Sequence, residues 1–159
     1  MREGDDMEGS VSVNDLEQYT VFSIGEQECA LSIMEVVEII RIQTIIDVPG
    51  VEDYIVGMIN LRGSIIPVID LRKRYGLSQC PFQKKTRIIV VSDEGENIGL
   101  VVDEVMQVTY VNKNNIEPPL EMFNTLEKDC FKGFAKVNEK LIGILNLRKV
   151  LYPHLDKEV

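Results

Sequence analysis

Residues 57–75 read GMINLRGSIIPVIDLRKRY, and residues 133–151 read GFAKVNEKLIGILNLRKVL. The two stretches align without a gap at an offset of 76 residues (133 − 57), and most apolar positions coincide. In each copy an Asx residue, Asp70 or Asn146, precedes the letters LRK, which is typical of the capped first turn of a helix. We interpret the two stretches as copies of one β module.

Two further matches bear on this repeat. Pro67 lies opposite Gly143, and because both residues weaken or interrupt a β ladder, we expect both copies to bend there. A weaker match places residues 31–36 on residues 100–105 at an offset of 69 (100 − 31). Coincidence is the alternative, since an Asx cap before LRK is a common way to begin a helix. We predict two similar β modules, each too small to bury its own apolar face, which share a core.

Alternation of apolar and polar residues predicts two β-hairpins. Their strands are residues 19–24 with 29–33 and residues 87–91 with 98–102. Helical signal is confined to short pieces, of which residues 71–75, between Asp70 and Gly76, are the clearest. Residues 1–17 are acidic and polar and predict a flexible leader, so a mainly β domain is expected over residues 18–159.

The composition is that of an ordinary soluble protein, with 45% apolar and 27% charged residues among 159. The net charge of −9 argues against nucleic-acid and anionic-membrane partners, which need a cationic face. No apolar run approaches the roughly 18 residues that span a bilayer, and the start of the chain is acidic, unlike a secretory signal. We therefore expect a cytoplasmic protein that does not insert into membranes.

Catalytic groups are scarce. The sequence has a single histidine, His154, and three widely spaced cysteines, Cys29, Cys80 and Cys130. These residues build neither a paired zinc site nor a disulfide framework, and they leave no spare base for a catalytic triad. Neither GxxxxGK nor a strand-linked GxGxxG occurs, so the backbone cradles for nucleotides are missing. We predict a protein that is not an enzyme and has no cofactor, no metal site and no catalytic residues.

At NLRG (residues 60–63), followed by SIIPVIDLRKRYG (residues 64–76), the sequence resembles the CheW family of chemotaxis coupling proteins. The resemblance continues through YTVFSIGEQECALSI, MEVVEII, the RIIVV…IGLVVDEV hairpin and FKGFAKVNEKLIGILNL. It implies two similar five-stranded β-barrel subdomains packed together, with short helices. No receiver-like βα pattern follows residue 151, so the chain resembles the stand-alone form of the family.

The resemblance also implies a function and partners. Family members are adaptors that couple the cytoplasmic tip of methyl-accepting chemoreceptors to the regulatory domain of a CheA-type histidine kinase. An adaptor for another chemosensory array and a small-ligand-binding β-barrel protein are the alternatives.

Candidate partner-binding residues come from two places. Arg62 and Gly63 fall between two apolar strand segments, at a position taken by Asn138 in the second copy, so an exposed turn is expected. Ile33, Val36 and Ile39 recur at every third position, and ordinary core packing is the alternative for them. The resemblance implies a groove that meets the receptor helices. The candidate residues are Ile33, Val36, Glu38, Ile39, Arg62, Gly63 and Val102.

Overall fold

The computed structural model describes residues 15–119 and 130–153, which form ten strands and three short helical segments. The strands are β1 Leu16–Ile24, β2 Gln27–Ser32, β3 Val36–Arg41, β4 Ile55–Leu61, β5 Ser64–Asp70, β6 Arg87–Asp93, β7 Glu96–Val102, β8 Glu104–Asn112, β9 Phe131–Val137 and β10 Lys140–Leu145. The helices are α1 Leu71–Arg74 and α2 Leu147–Leu151, with a 3-10 turn at Lys113–Asn115. In these ranges no helix is long and apolar enough to cross a membrane.

Both predicted hairpins and the predicted short helix are present. The first hairpin is β1–β2 and the second is β6–β7. The Asp70 carboxylate accepts a hydrogen bond from the backbone N–H of Arg72, as expected of an N-cap, and Gly76 follows α1 with a φ of 83°. β1 begins at Leu16, inside the predicted leader, whose first fourteen residues lie outside the described part of the chain.

The ten strands form two five-stranded sheets. Sheet A has the order β9-β10-β2-β1-β8, and sheet B has the order β4-β5-β7-β6-β3. Sheet B uses only residues 36–102, whereas sheet A combines the first hairpin with the last three strands. The first hairpin therefore pairs with the distant second copy of the repeat, whereas the second hairpin pairs with the first copy, which precedes it in the chain.

The registers of the two sheets correspond position by position. In β4 a register shift lies between Ile55 and Gly57, and in β9 it lies 76 residues later. Val68 pairs with Gly99 in the parallel ladder of sheet B, and Ile144 pairs with Ala30 in that of sheet A. The first members of these pairs differ by 76 and the second by 69. Both offsets read from the sequence thus recur in the pairing of the strands.

The interruption of the β ladder from which a bend at Pro67 and Gly143 was expected is absent, because neither residue lies at a register shift. Pro67 pairs with Met58 without a register shift. Met58 directs both its N–H and its C=O to Ile46, at 2.9 and 2.8 Å, so no β4 group requires an N–H from Pro67. Glycine stands at position 143 for a steric reason, because a Cβ there would lie 2.7 Å from the ring of Phe131. The register shifts lie instead in the partner strands, between Ile55 and Gly57 in β4 and between Phe131 and Gly133 in β9.

Buried side chains form three clusters. One lies within sheet A and includes Val21, and one lies within sheet B and includes Ile88. The largest joins the two sheets and both helices, with Phe22 from sheet A, Ile89 from sheet B and Leu71 from α1. The two modules therefore share a core, as the small size of each predicts.

The two helices meet at Arg74, a buried arginine in α1. Its Nε donates to the carbonyl oxygen of Val150 and its Nη2 to that of Lys149, both at 3.0 Å. The guanidinium also lies over the ring of Tyr54, at 5.7 Å. Because α1 follows sheet B and α2 follows sheet A, this side chain links the two modules.

The prediction of two five-stranded β units is confirmed, but within the described ranges no continuous ladder closes either sheet. In each sheet one isolated bridge links an end strand to the segment that follows the opposite end strand. Ile46 bridges to Met58 in β4, and Glu117 bridges to Phe134 in β9.

Candidate functional site

The β4–β5 turn is a two-residue turn in which both residues have positive φ. Arg62 has a φ of 51° and Gly63 a φ of 89°, and the Gly63 N–H donates to Asn60 Oδ1 at 2.9 Å. Two positive φ values match the right-handed twist of a hairpin. Asn138 and Glu139 repeat this conformation between β9 and β10, with φ of 51° and 69°. The turn therefore directs the Arg62 side chain outward, where sequence reasoning placed it.

Arg62 forms an ion pair with Glu38, so the structure brings together two of the candidate residues. The Arg62 side chain is 70% exposed and that of Glu38 is 27% exposed. Glu38 lies on β3 and Arg62 next to β4, which are the two end strands of sheet B. This contact needs the two ends of the sheet to approach one another, and it leaves most of the guanidinium available to a second carboxylate.

The three candidates at every third position do not share one face. Ile33 is exposed in the turn before β3, Val36 is half-buried against the shared core, and Ile39 is 41% exposed on β3. This spacing aligns side chains on a helix, but the segment is a turn followed by a strand, in which alternate residues share a face. Ile39 lies next to Glu38, while Ile33 and Val36 lie near the start of the strand.

Val102 is fully buried in the shared core. Its side chain offers no exposed surface in this structure, so it can affect a partner only through the residues packed above it. Sequence reasoning cannot separate such a position from an exposed one, because both faces of β7 are apolar.

Two exposed apolar residues beside the candidates were missed by sequence reasoning. Val37 on β3 is 49% exposed and Met34 in the preceding turn is 87% exposed. Exposed residues alternate with less exposed ones along β3 at Val37, Ile39 and Arg41, and a register shift of the ladder lies between Val36 and Glu38. The alternation of the strand could have identified Val37 as exposed, but the spacing of three between Ile33, Val36 and Ile39 was read as the pattern instead.

Burial controls the titration of two groups near the sheets. Burial raises the pKa of the Glu35 carboxyl in the turn before β3, and the nearby charge of Lys132 opposes this effect. Burial also raises the pKa of the Cys29 thiol to about 12, although the Tyr75 hydroxyl donates to its Sγ at 3.5 Å. Cys29 therefore remains a thiol at neutral pH and is not a nucleophile.

A half-open cleft of about 490 Å³ lies beside α1, between the β1–β2 turn and residues 80–86. Within it, Arg72 donates to both carboxylate oxygens of Asp103 at 3.0 and 2.9 Å, and Asp103 also accepts from the Gly25 N–H at 2.7 Å. These charged groups satisfy one another, so they do not converge on a ligand. In the described ranges no three His, Cys, Asp or Glu side chains are grouped to hold a metal ion, and His154 lies outside those ranges.

Comparisons with known proteins agree with this geometry. A family model described as the CheW-like domain matches residues 18–153. The chain is 37% identical over 142 residues to the chemotaxis protein CheW of Bacillus subtilis, covering 89% of this chain and 88% of that protein. It is 33% identical to the Thermotoga maritima CheW, covering 82% and 84%. Its fold is similar to the scaffolding protein TtCheW from Thermoanaerobacter tengcongensis, with a TM-score of 0.79, 38% identity and coverage of 86% and 92%.

Proposed function

The chain belongs to the CheW-like domain family, and from that premise we propose that it is a chemotaxis coupling protein, an adaptor without catalytic activity. The observation that carries the proposal is the extent of the similarity, which reaches from residue 18 to residue 153 and includes both sheets. The absence of catalysis is supported by the cleft beside α1, where Arg72 and Asp103 are engaged with each other. No observation on that cleft favours the small-ligand alternative.

The proposed partners are the regulatory domain of a CheA-type histidine kinase and the cytoplasmic tip of methyl-accepting chemoreceptors. We propose that the chain binds both in the cytoplasm. Arg62, Gly63 and Glu38 supply a polar contact at the β4–β5 turn, since an arginine fork can orient a partner carboxylate. Apolar contact comes from the exposed Ile33 and Ile39. The half-buried Val36 and the buried Val102 support this surface from below.

We also infer that each sheet curls into a barrel, so that residues 18–159 contain two pseudo-repeated β-barrel modules. Three contacts support this inference in the described residues. The Ile46–Met58 and Glu117–Phe134 bridges each join the two ends of one sheet, and the Arg62–Glu38 ion pair joins the same two ends of sheet B. A closed barrel removes exposed strand edges, which otherwise favour aggregation.

A titration tests the adaptor function. The chain is added to purified kinase and a receptor cytoplasmic fragment, and kinase activity is measured at each concentration. An adaptor that joins two partners should give receptor control of the kinase that rises to a maximum near matched stoichiometry and then falls, because excess chain occupies kinase and receptor separately. Smooth saturation without receptor, or ATP turnover by the chain alone, would contradict the proposal.

A further inference from the structure

Arg41 and Arg87 lie directly opposite each other where β3 pairs with β6. Side chains opposite one another on antiparallel strands share a face and have Cβ atoms about 5 Å apart, so two positive charges there repel. In the part of the chain that the structure describes, neither guanidinium lies within ion-pair distance of a carboxylate. The pair is thus uncompensated in a chain whose net charge is −9.

The segment just before β6 is fixed by Arg87 and contains two lysines. Arg87 Nη1 donates to the carbonyl oxygens of Lys84 and Thr86 at 2.8 and 2.9 Å, which holds the segment before β6 against the guanidinium. Lys84 is exposed, and Lys85 lies 3.7 Å from the Glu104 carboxylate in an exposed pair. Lys84 and Lys85 line the cleft beside α1, so we call the opposed Arg41 and Arg87 alone the cationic face.

The cationic face is continuous with the apolar part of the candidate site. Arg41 is exposed and lies two residues after Ile39, beyond the register shift between Val36 and Glu38, so both side chains lie on one side of this end strand. A partner segment that packs on Ile39 therefore comes within reach of the Arg41 guanidinium.

We propose that the cationic face docks an acidic margin of the chemoreceptor tip, a helical segment that carries carboxylates beside its apolar stripe. The inference rests on the proposed function, because it places the receptor on the exposed side of β3. A guanidinium binds a carboxylate through two parallel hydrogen bonds, and a carboxylate between Arg41 and Arg87 removes their mutual repulsion. The face therefore selects receptor segments with acids at this position over segments without them.

Arg41→Glu is the discriminating variant, because it turns a like-charge pair into an opposite-charge pair with Arg87. We expect its melting temperature to equal or exceed that of the unaltered chain. Its affinity for a purified receptor cytoplasmic fragment should fall at least about tenfold at low salt, while its affinity for the kinase regulatory domain stays the same. The matched control is Lys136→Glu, the same charge reversal at a 70% exposed side chain of β9, which should change receptor affinity by less than about twofold.

A receptor fragment whose tip acids are replaced by the corresponding amides gives a second test. The unaltered chain should bind this fragment more weakly, and Arg41→Glu should bind the acidic and neutral fragments about equally. The inference is overturned if Arg41→Glu binds receptor normally, if it loses kinase affinity instead, or if only the unaltered chain sediments with phosphatidylglycerol vesicles. If the unaltered chain binds neither receptor nor kinase, the proposed function itself fails.

Discussion

Arg74→Met should destabilise the whole domain, because Arg74 is the side chain that joins the two helices across the shared core. Its guanidinium donates to the carbonyl oxygens of Lys149 and Val150 at 3.0 Å and lies over Tyr54. Methionine keeps much of the aliphatic stem and removes these polar contacts.

The size of the effect follows from the two hydrogen bonds. Bonds from a charged donor contribute about 1.5–3 kcal/mol each, which sets an upper limit of about 6 kcal/mol for the pair. Part of this stabilisation is offset in the unaltered chain, because burying the charged guanidinium in the folded state costs free energy. We expect the free energy of unfolding to fall by about 2–4 kcal/mol for Arg74→Met. The free energy of unfolding of Arg74→Lys should lie between those of the unaltered chain and of Arg74→Met, because a single ammonium cannot form both hydrogen bonds of the guanidinium with the same geometry.

Urea unfolding followed by circular dichroism measures this difference, and hydrogen exchange at the Val150 and Tyr152 amides reports the local loosening of α2. The matched control is Arg148→Met in α2, whose guanidinium is 51% exposed and paired with Asp93 and Glu94. Exposed pairs contribute about 1 kcal/mol or less. An Arg74→Met loss below about 0.5 kcal/mol, or no larger than that of Arg148→Met, would refute the assignment of Arg74 as the link between the modules.

Three further predictions follow from the described contacts. Arg62→Glu should change the free energy of unfolding by less than about 1 kcal/mol, because the lost pair is exposed, and should weaken kinase–receptor assembly in a co-sedimentation assay. Cys80 alone should react with Ellman's reagent in the native protein, whereas Cys29 and Cys130, both buried, should react only after denaturation. Glu35→Gln should raise stability at pH 7: burial raises the folded-state pKa of Glu35, so its protonated form favours folding, and stability falls as pH rises from its ordinary pKa of 4.5 through the folded-state pKa.

Each of these has a distinct contrary result. A large loss of stability in Arg62→Glu would make that arginine structural, not a contact for partners. Rapid reaction of more than one thiol in the native protein would show that a buried cysteine is accessible. If Glu35→Gln has the same dependence of stability on pH as the unaltered chain above pH 4.5, burial of that carboxyl does not control its titration.

The local elements of this fold are predictable from the sequence, because they depend on near neighbours. Both hairpins follow from alternation, and α1 follows from Asp70 before LRK and Gly76 after it. The ladder interruption expected at Pro67 is absent because the direction of hydrogen bonds in β4 depends on Ile46, which no local pattern relates to Met58.

Which hairpin pairs with which repeat copy is not predictable in the same way. The offsets of 76 and 69 identify equivalent residues, but equivalence is compatible with either pairing of two hairpins with two copies. The structure pairs β2 with β10 and β7 with β5, so sheet A draws on both ends of the described chain.

For the site, the position of Arg62 was predictable from the turn between two strand segments. Its pairing with Glu38 was not, because it depends on the approach of two end strands.

The correspondence between the sheets explains how one small fold can present two different surfaces. Gln107 and Tyr110 on β8 occupy the places of Glu38 and Arg41 on β3, and Asn138 occupies the place of Arg62 with the same φ of 51°. The backbone is thus repeated, whereas three charged side chains of one edge are replaced by uncharged ones on the other. An adaptor must bind each of two different partners at the correct surface. Different charges at equivalent backbone positions of the two sheets provide this specificity. Arg62→Asn, which gives the β4–β5 turn the residue found at position 138, should therefore preserve the turn while removing the charge that distinguishes it.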